Sequence, residues 1–211
     1  MSAFDGVPRI AVGLMLGGAL VAVDVSAEAP TAQDIDALAR RAMATFQVPG
    51  IAIGVVKDGD LIYARGHGVR EIRRREPVDA DTIFQIASLT KAFTAASLGI
   101  LVDEGKLDWD DPVIDHLPEF RMYDPWVTRE FTIRDLLTHR SGLGLGAGDL
   151  LFWPQSTSTT EDVIRAMRFL KPETSFRTAY AYDNLLYVIA GEVVTVVSGV
   201  PWEDFVEQRI M

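Results

Sequence analysis

Ser88 and Lys91 form the chain's only Ser-x-x-Lys pair. Three residues apart on a helix they lie one turn apart on the same face, which brings a hydroxyl and an ammonium within hydrogen-bonding reach. A serine hydroxyl attacks a carbonyl only after something takes its proton. A lysine can take it when burial or a neighbouring positive dipole lowers its pKa, and the first turn of an apolar helix supplies both. The same helix start brings backbone N–H groups near the serine, where one could stabilise an oxyanion. By itself the pair equally fits an N-cap serine followed by an ordinary lysine.

Tyr182-Asp183-Asn184 is the only Tyr-x-Asn in the chain and stands just before an apolar helical stretch. A phenol beside an ammonium can have its pKa pulled down and accept a proton, while the asparagine amide can hold a carbonyl or orient the lysine. A packed tyrosine followed by a helix-capping Asp or Asn accounts for the same residues. A third segment, Leu136-Leu137-Thr138-His139-Arg140-Ser141-Gly142-Leu143, holds a second candidate hydroxyl. Ser141 is not in a Gly-x-Ser-x-Gly elbow, because His139 occupies the first glycine's place, so it reads as a turn residue.

These groups have to be positioned by the elements around them. Thr31 with Asp34 three residues on predicts a capped helix, with Ile35, Leu38, Ala39, Ala42, Met43 and Phe46 on one face and Pro49-Gly50 as its stop. Ile51 to Val56, the Asp58-Gly59 turn and Leu61 to Ala64 predict an antiparallel hairpin. Glu71 to Glu76, with Arg73, Arg74 and Arg75 in a row, reads as a solvated loop. A short strand-like run at Ile83 to Ile86 gives way to a helix from Ser88 to Leu101 with almost no polar face, which must be buried on most sides. Leu107 to Pro118 reads as irregular, and a short helix is expected over Ile133 to His139. Gly142, Gly144, Gly146 and Gly148 suggest a flexible loop, since no strand–turn–helix context supports phosphate binding there. Further helices are expected at Thr160 to Leu170, Asn184 to Val197 and from Pro201 onward.

The 211 residues carry 20 basic and 30 acidic side chains, a net charge of −10, which argues against a nucleic-acid partner and against docking on anionic lipid. The absence of cysteine removes disulfides, a thiol nucleophile and iron–sulfur sites. Only His67, His116 and His139 are present, none at ligand-like spacing, so no metal site is expected. Ile10 to Val23 is an apolar run followed by Val25-Ser26-Ala27, the order of a signal peptide cleaved after Ala27. The expectation is an exported, periplasmic or secreted chain with a signal peptide over 1–27, a domain over 28–211 and no stable membrane span after cleavage.

Taken together, "GIAIGVVKDGDLIYARGHG", "FQIASLTKAFTAASLGILVDEGKLDWDDPV", "IRDLLTHRSGLG" and "YAYDNLLYVIAGEVV" resemble, in order and interval, the serine β-lactamase and penicillin-binding-protein superfamily, in its class C β-lactamase-like branch. The resemblance implies an α+β fold, an α/β sandwich of a helical lobe and an antiparallel sheet. It implies Ser88 as the acylated nucleophile, Lys91 as its proton-transfer partner, Tyr182 as general base and Asn184 lining the substrate amide site. His139 and Ser141 would brace the loop beside the site. No metal or organic cofactor is implied. The substrate would be a small molecule or peptide offering a β-lactam, D-amino-acid amide or ester carbonyl. The family's Lys-Thr-Gly or His-x-Gly element on a sheet strand has no counterpart before Met211, so the fold is expected to be incomplete on its C-terminal side. A catalytically silent relative, or a truncated product that binds peptidoglycan-type ligands or a partner without turnover, is the alternative.

Overall fold

The computed structural model describes residues 30–211, so the expected signal peptide lies outside the described residues. They fall into two compact units, one ending at Phe84 and the other running from Gln85 to Met211.

The first unit is a helix and a three-stranded antiparallel meander. Helix α1 (Ala32–Phe46) starts at a capping box in which Thr31 accepts from the Asp34 N–H and the Asp34 carboxylate accepts from the Thr31 N–H, satisfying two orphan groups of the first turn. Ile35 and Ala39, one turn apart, are its buried residues. The expected wider stripe is narrower, because Leu38 and Phe46 are exposed on its flanks. Strand β1 (Gly50–Lys57) pairs with β2 (Asp60–Glu71) through a two-residue turn with positive φ at both Asp58 and Gly59. That is the twist a tight hairpin needs, which explains the Asp-Gly signal. β2 continues well past Ala64, and β3 (Arg74–Pro77) pairs with its end. Of the arginine run, Arg73 lies in the turn between the strands, and Arg74 and Arg75 lie in an exposed strand where a loop was expected. The backbone ladder is indifferent to side chains that point into water, and charged residues suit a sheet edge. β2 stays close to its neighbours at Gly68, where φ is +77° and a Cβ would lie 2.1 Å from the Pro49 carbonyl.

The second unit is helical. Ile83 to Ile86 forms no strand among the described residues, and a 3-10 turn at Ala87–Leu89 leads into α2 (Thr90–Asp103). Then come α3 (Val113–His116) and α4 (Pro125–Glu130), two short helices that proline-interrupted sequence concealed. α5 (Ile133–Leu137), α6 (Thr160–Ala166), α7 (Leu185–Ser198) and α8 (Trp202–Arg209) complete the unit. α7 is central: Leu185, Leu186, Ile189, Ala190, Val193 and Val194 are all buried, and the helix touches α2, α3, α5, α6 and α8. Fully burying each large aliphatic side chain contributes about 1.5–3 kcal/mol, so this face anchors the unit. α2 is less enclosed than its composition suggests. Thr94, Ser97, Leu98 and Leu101 are buried, while Leu89, Ala92 and Ala96 are exposed. Alanine methyls expose little apolar area, so an alanine-rich face does not require cover. Among the described residues no single helix is long and apolar enough to cross a membrane.

Candidate active site

Packing of α2 against α7 brings the N-terminal turns of both helices together, and the sequence-predicted groups meet there. The Lys91 ammonium lies 3.3 Å from Ser88 Oγ and 2.6 Å from Asn184 Oδ1. It also sits 4.7 Å from the centre of the Tyr182 ring and 5.2 Å from that of Tyr187. Ser88 is exposed, and the residue before it, Ala87, has φ +45°, a conformation that costs an alanine on the order of 1 kcal/mol. Thus the hydroxyl is presented at a sharp turn where chain enters helix.

The Tyr182 phenol is governed by opposing influences. Burial pushes its pKa up, but contact with the Lys91 ammonium and the Ser88 hydroxyl outweighs that and holds it below the ordinary tyrosine value, against a smaller upward push from the Asp149 charge. The result is a phenol prepared to lose its proton, which is what a proton acceptor beside a serine needs.

Position is enforced through the backbone. The Ala181 N–H donates to the His139 carbonyl at 2.9 Å, the Asp183 N–H to His139 Nδ1 at 3.2 Å, and the Gly146 N–H to the Tyr182 carbonyl at 3.0 Å. His139 itself is buried, with its ring 4.5 Å from that of Tyr182 and its φ at +56°. Burial first, then the Lys91 charge, hold its pKa below the usual histidine value. A neutral ring accepting at Nδ1 carries its proton on Nε2. Ser141 is buried and its Oγ accepts from the Leu143 N–H at 3.1 Å, a turn-closing bond. The glycine loop is cross-tied, not free. Gly142, with φ +94°, accepts at its carbonyl from the Glu173 and Thr174 N–H groups. Its Cβ position lies 2.6 Å from the Thr174 carbonyl, so no larger residue fits without displacement.

Two residues of the site, Asp149 and Tyr187, were missed in the sequence, and a third, Asp183, was read only as a possible helix cap. Asp149, on the 3-10 turn Asp149–Leu151, accepts from Asn184 Nδ2 with both oxygens, at 3.1 and 3.0 Å. Tyr187 stacks near His139 and donates its hydroxyl to the Leu137 carbonyl at 3.0 Å. Asp183 is fully buried: Oδ1 accepts from the Leu186 N–H at 3.0 Å, and Oδ2 has no protein partner. Burial pushes its carboxyl up to about 6. Tyr187 lies three residues after Asn184, and Asp183, the middle residue of the Tyr-x-Asn triplet, makes the helix-capping bond its type suggested. Asp149 is 35 residues from Asn184 and carried no local signal. Among the described residues no group of three or more His, Cys, Asp or Glu could hold a metal ion.

The Beta-lactamase family model matches residues 35–211. The unguisins hydrolase of Aspergillus violaceofuscus is 32% identical over 178 residues, covering 81% of this chain and 31% of that protein. The octameric penicillin-binding protein homologue from Pyrococcus abyssi superposes with a TM-score of 0.71 at 32% identity, over 84% of this chain and 42% of that one. A class C beta-lactamase structure superposes with a TM-score of 0.69 at 25% identity, over 83% and 46%. The chain therefore spans between about a third and a half of the length of these proteins.

Proposed function

From the premise that this chain belongs to the Beta-lactamase family, we propose that it is a serine hydrolase working through an acyl-enzyme on an amide, β-lactam or ester carbonyl. In this reading Tyr182, as phenolate, takes the proton of Ser88 while Oγ attacks the carbonyl carbon. The tetrahedral intermediate collapses as Tyr182 returns that proton to the departing nitrogen or oxygen. Water, deprotonated by the same phenolate, then attacks the ester of Ser88, and the serine leaves with its proton restored. Lys91 keeps the phenolate stable throughout: its ammonium faces the Tyr182 ring and holds Ser88 and Asn184 in register. His139 positions the segment that carries Tyr182.

The observation that carries this reading is the convergence of Ser88, Lys91 and Tyr182, 94 residues apart at the extremes, with the phenol pKa drawn down. The named hydrolase and class C beta-lactamase among its relatives support the same class of reaction. Export belongs to the proposal on the strength of the apolar run Ile10 to Val23, and sequencing of the mature N-terminus tests it. The central test is covalent labelling by a fluorophosphonate or a fluorescent penicillin, with p-nitrophenyl acetate turnover alongside. Label and turnover should vanish in Ser88→Ala. Label that persists there overturns the assignment.

A further inference from the structure

Arg121, Arg129 and Arg168 line one cavity of about 610 Å³ in the helical unit, and no Asp or Glu lines it with them. All three are exposed, and among the described residues none of them forms an ion pair. Elsewhere in the same unit Arg134, Arg165, Arg177 and Arg209 each pair with a carboxylate. In a chain with 30 acidic and 20 basic side chains, carboxylates are plentiful, so three arginines left without one around a single space reverse the sign of the charge locally. Like charges facing one space repel one another, and an anion placed between them turns that repulsion into attraction.

Neutral groups hold two of these guanidiniums in place. Arg121 Nη1 donates to the Pro118 and Phe120 carbonyls, at 2.6 Å each, and Arg168 Nη2 reaches the Glu119 carbonyl at 3.4 Å, so one short stretch of backbone gathers arginines from two distant parts of the chain. A carbonyl orients a guanidinium without cancelling its charge, and each of the two keeps several of its five N–H donors free. Arg129 stands near the end of α4. The chain before that helix is fixed by buried Thr128, whose hydroxyl accepts from the Met122 N–H at 2.9 Å and donates to the Asp124 carbonyl at 3.0 Å. Ile114, Pro118, Met122 and Pro125 give the cavity an apolar wall beside its cationic one.

We propose that this cavity binds a soluble organic phosphate, its phosphate held by Arg121, Arg129 and Arg168 and its apolar body against Ile114, Met122 and Pro125. A space of this size suits a small organic molecule and is too large for an inorganic ion to fill. A phosphate monoester presents three terminal oxygens and a charge of about −1.5 to −2 at pH 7, which answers three guanidinium forks better than the two oxygens and single charge of a carboxylate. An acidic phospholipid carries the same head group, but a net charge of −10 opposes the approach of this chain to an anionic bilayer. Ser88, Lys91 and Tyr182 do not line the cavity, so the site stands or falls independently of the hydrolase reading.

Ligand-observed NMR titration of the full chain with phenyl phosphate measures the affinity, with inorganic phosphate and phenol as the two halves of that molecule. Phenyl phosphate should bind saturably, and inorganic phosphate should displace it only at about tenfold higher concentration, because it lacks the apolar body. Phenol should not displace it. Arg129→Gln should weaken phenyl phosphate by about tenfold, the worth of a charge-assisted hydrogen bond, and Arg129→Lys by less, since lysine keeps the charge and loses the fork. Arg129 makes no side-chain hydrogen bond or ion pair among the described residues, so both variants should keep the Tm of the unsubstituted chain, whereas Arg121 and Arg168 also tie backbone together. Arg75→Gln, which removes an exposed arginine of β3, should leave the affinity within about twofold, as a general effect of net charge would not. Absence of saturable binding, unchanged affinity in Arg129→Gln, an equal loss in Arg75→Gln, or displacement by inorganic phosphate as readily as by phenyl phosphate overturns the proposal. So does cosedimentation with phosphatidylcholine vesicles doped with phosphatidic acid when phenyl phosphate does not bind, which would assign the arginines to a membrane head group.

Discussion

Two tyrosines, one in each unit, sit in polar networks of similar size and behave oppositely. In the sheet unit Tyr63 donates to Asp36 Oδ1 at 2.5 Å, with His67 Nε2 at 2.9 Å and Arg65 bridging to Asp36 Oδ2 at 3.0 Å. Burial and that bond to a carboxylate push the Tyr63 phenol up. In the helical unit Tyr182 faces an ammonium, and the net movement is down. The side chain is the same; the sign of the neighbour decides whether it serves as a fixed donor tying α1 to β2 or as a group able to accept a proton. Position near a histidine does not distinguish them, since both have one.

The sharpest way to break this contrast is kinetic. Tyr182→Phe should lower kcat/KM by about 10²–10⁴, the usual worth of a positioned acid–base group, whereas Tyr63→Phe should leave it within about twofold. Comparable losses in both would mean that the sheet network is part of the chemistry. Spectrophotometric titration sharpens the contrast next. The Tyr182 phenolate should appear below the ordinary value of 10.0 and Tyr63 above it, and Lys91→Met should move Tyr182 upward by removing the cation that favours its ionised form.

The carboxyl groups beside these tyrosines give a smaller, thermodynamic version. Asp183 is raised from 3.8 to about 6, so between those values the native state holds a proton the unfolded chain has lost. Stability therefore falls as pH rises from about 4 to 6, by about 3 kcal/mol in all. Asp183→Asn should flatten that slope and raise Tm at pH 7. Asp36 is lowered, first by its bond from Tyr63, so its contribution is present above the unfolded value and is lost as pH falls through the folded one. Asp36→Asn should thus cost stability at pH 7 and very little at pH 2. Across pH 2–7 the stability differences of the two variants from the unsubstituted chain should change in opposite directions, and parallel changes would mean that the two networks do not differ in kind.

Much of the local structure was readable. Thr31 and Asp34 define a helix start through two hydrogen bonds between near neighbours, and Asp58-Gly59 defines a hairpin through the φ values those two residues accept. Ser88–Lys91 and Tyr182–Asn184 were readable as pairs because each lies within one turn of chain. The strand at Arg74–Pro77 and the helix at Pro125–Glu130 were not, because ladder pairing and the N-cap of Asp124 outweigh what charge runs and prolines suggest locally.

The sequence by itself determined the chemical inventory: which hydroxyl precedes which lysine, which phenol precedes which amide, and that no thiol or histidine cluster competes with them. Only the tertiary structure decided their meaning. The packing of α2 on α7 puts Lys91 against Asn184 across 93 positions, and the glycine loop carries Asp149 to the far side of that amide. Proton affinity depends on charges a few ångströms away in space, and chain separation says nothing of that distance until apolar faces have docked.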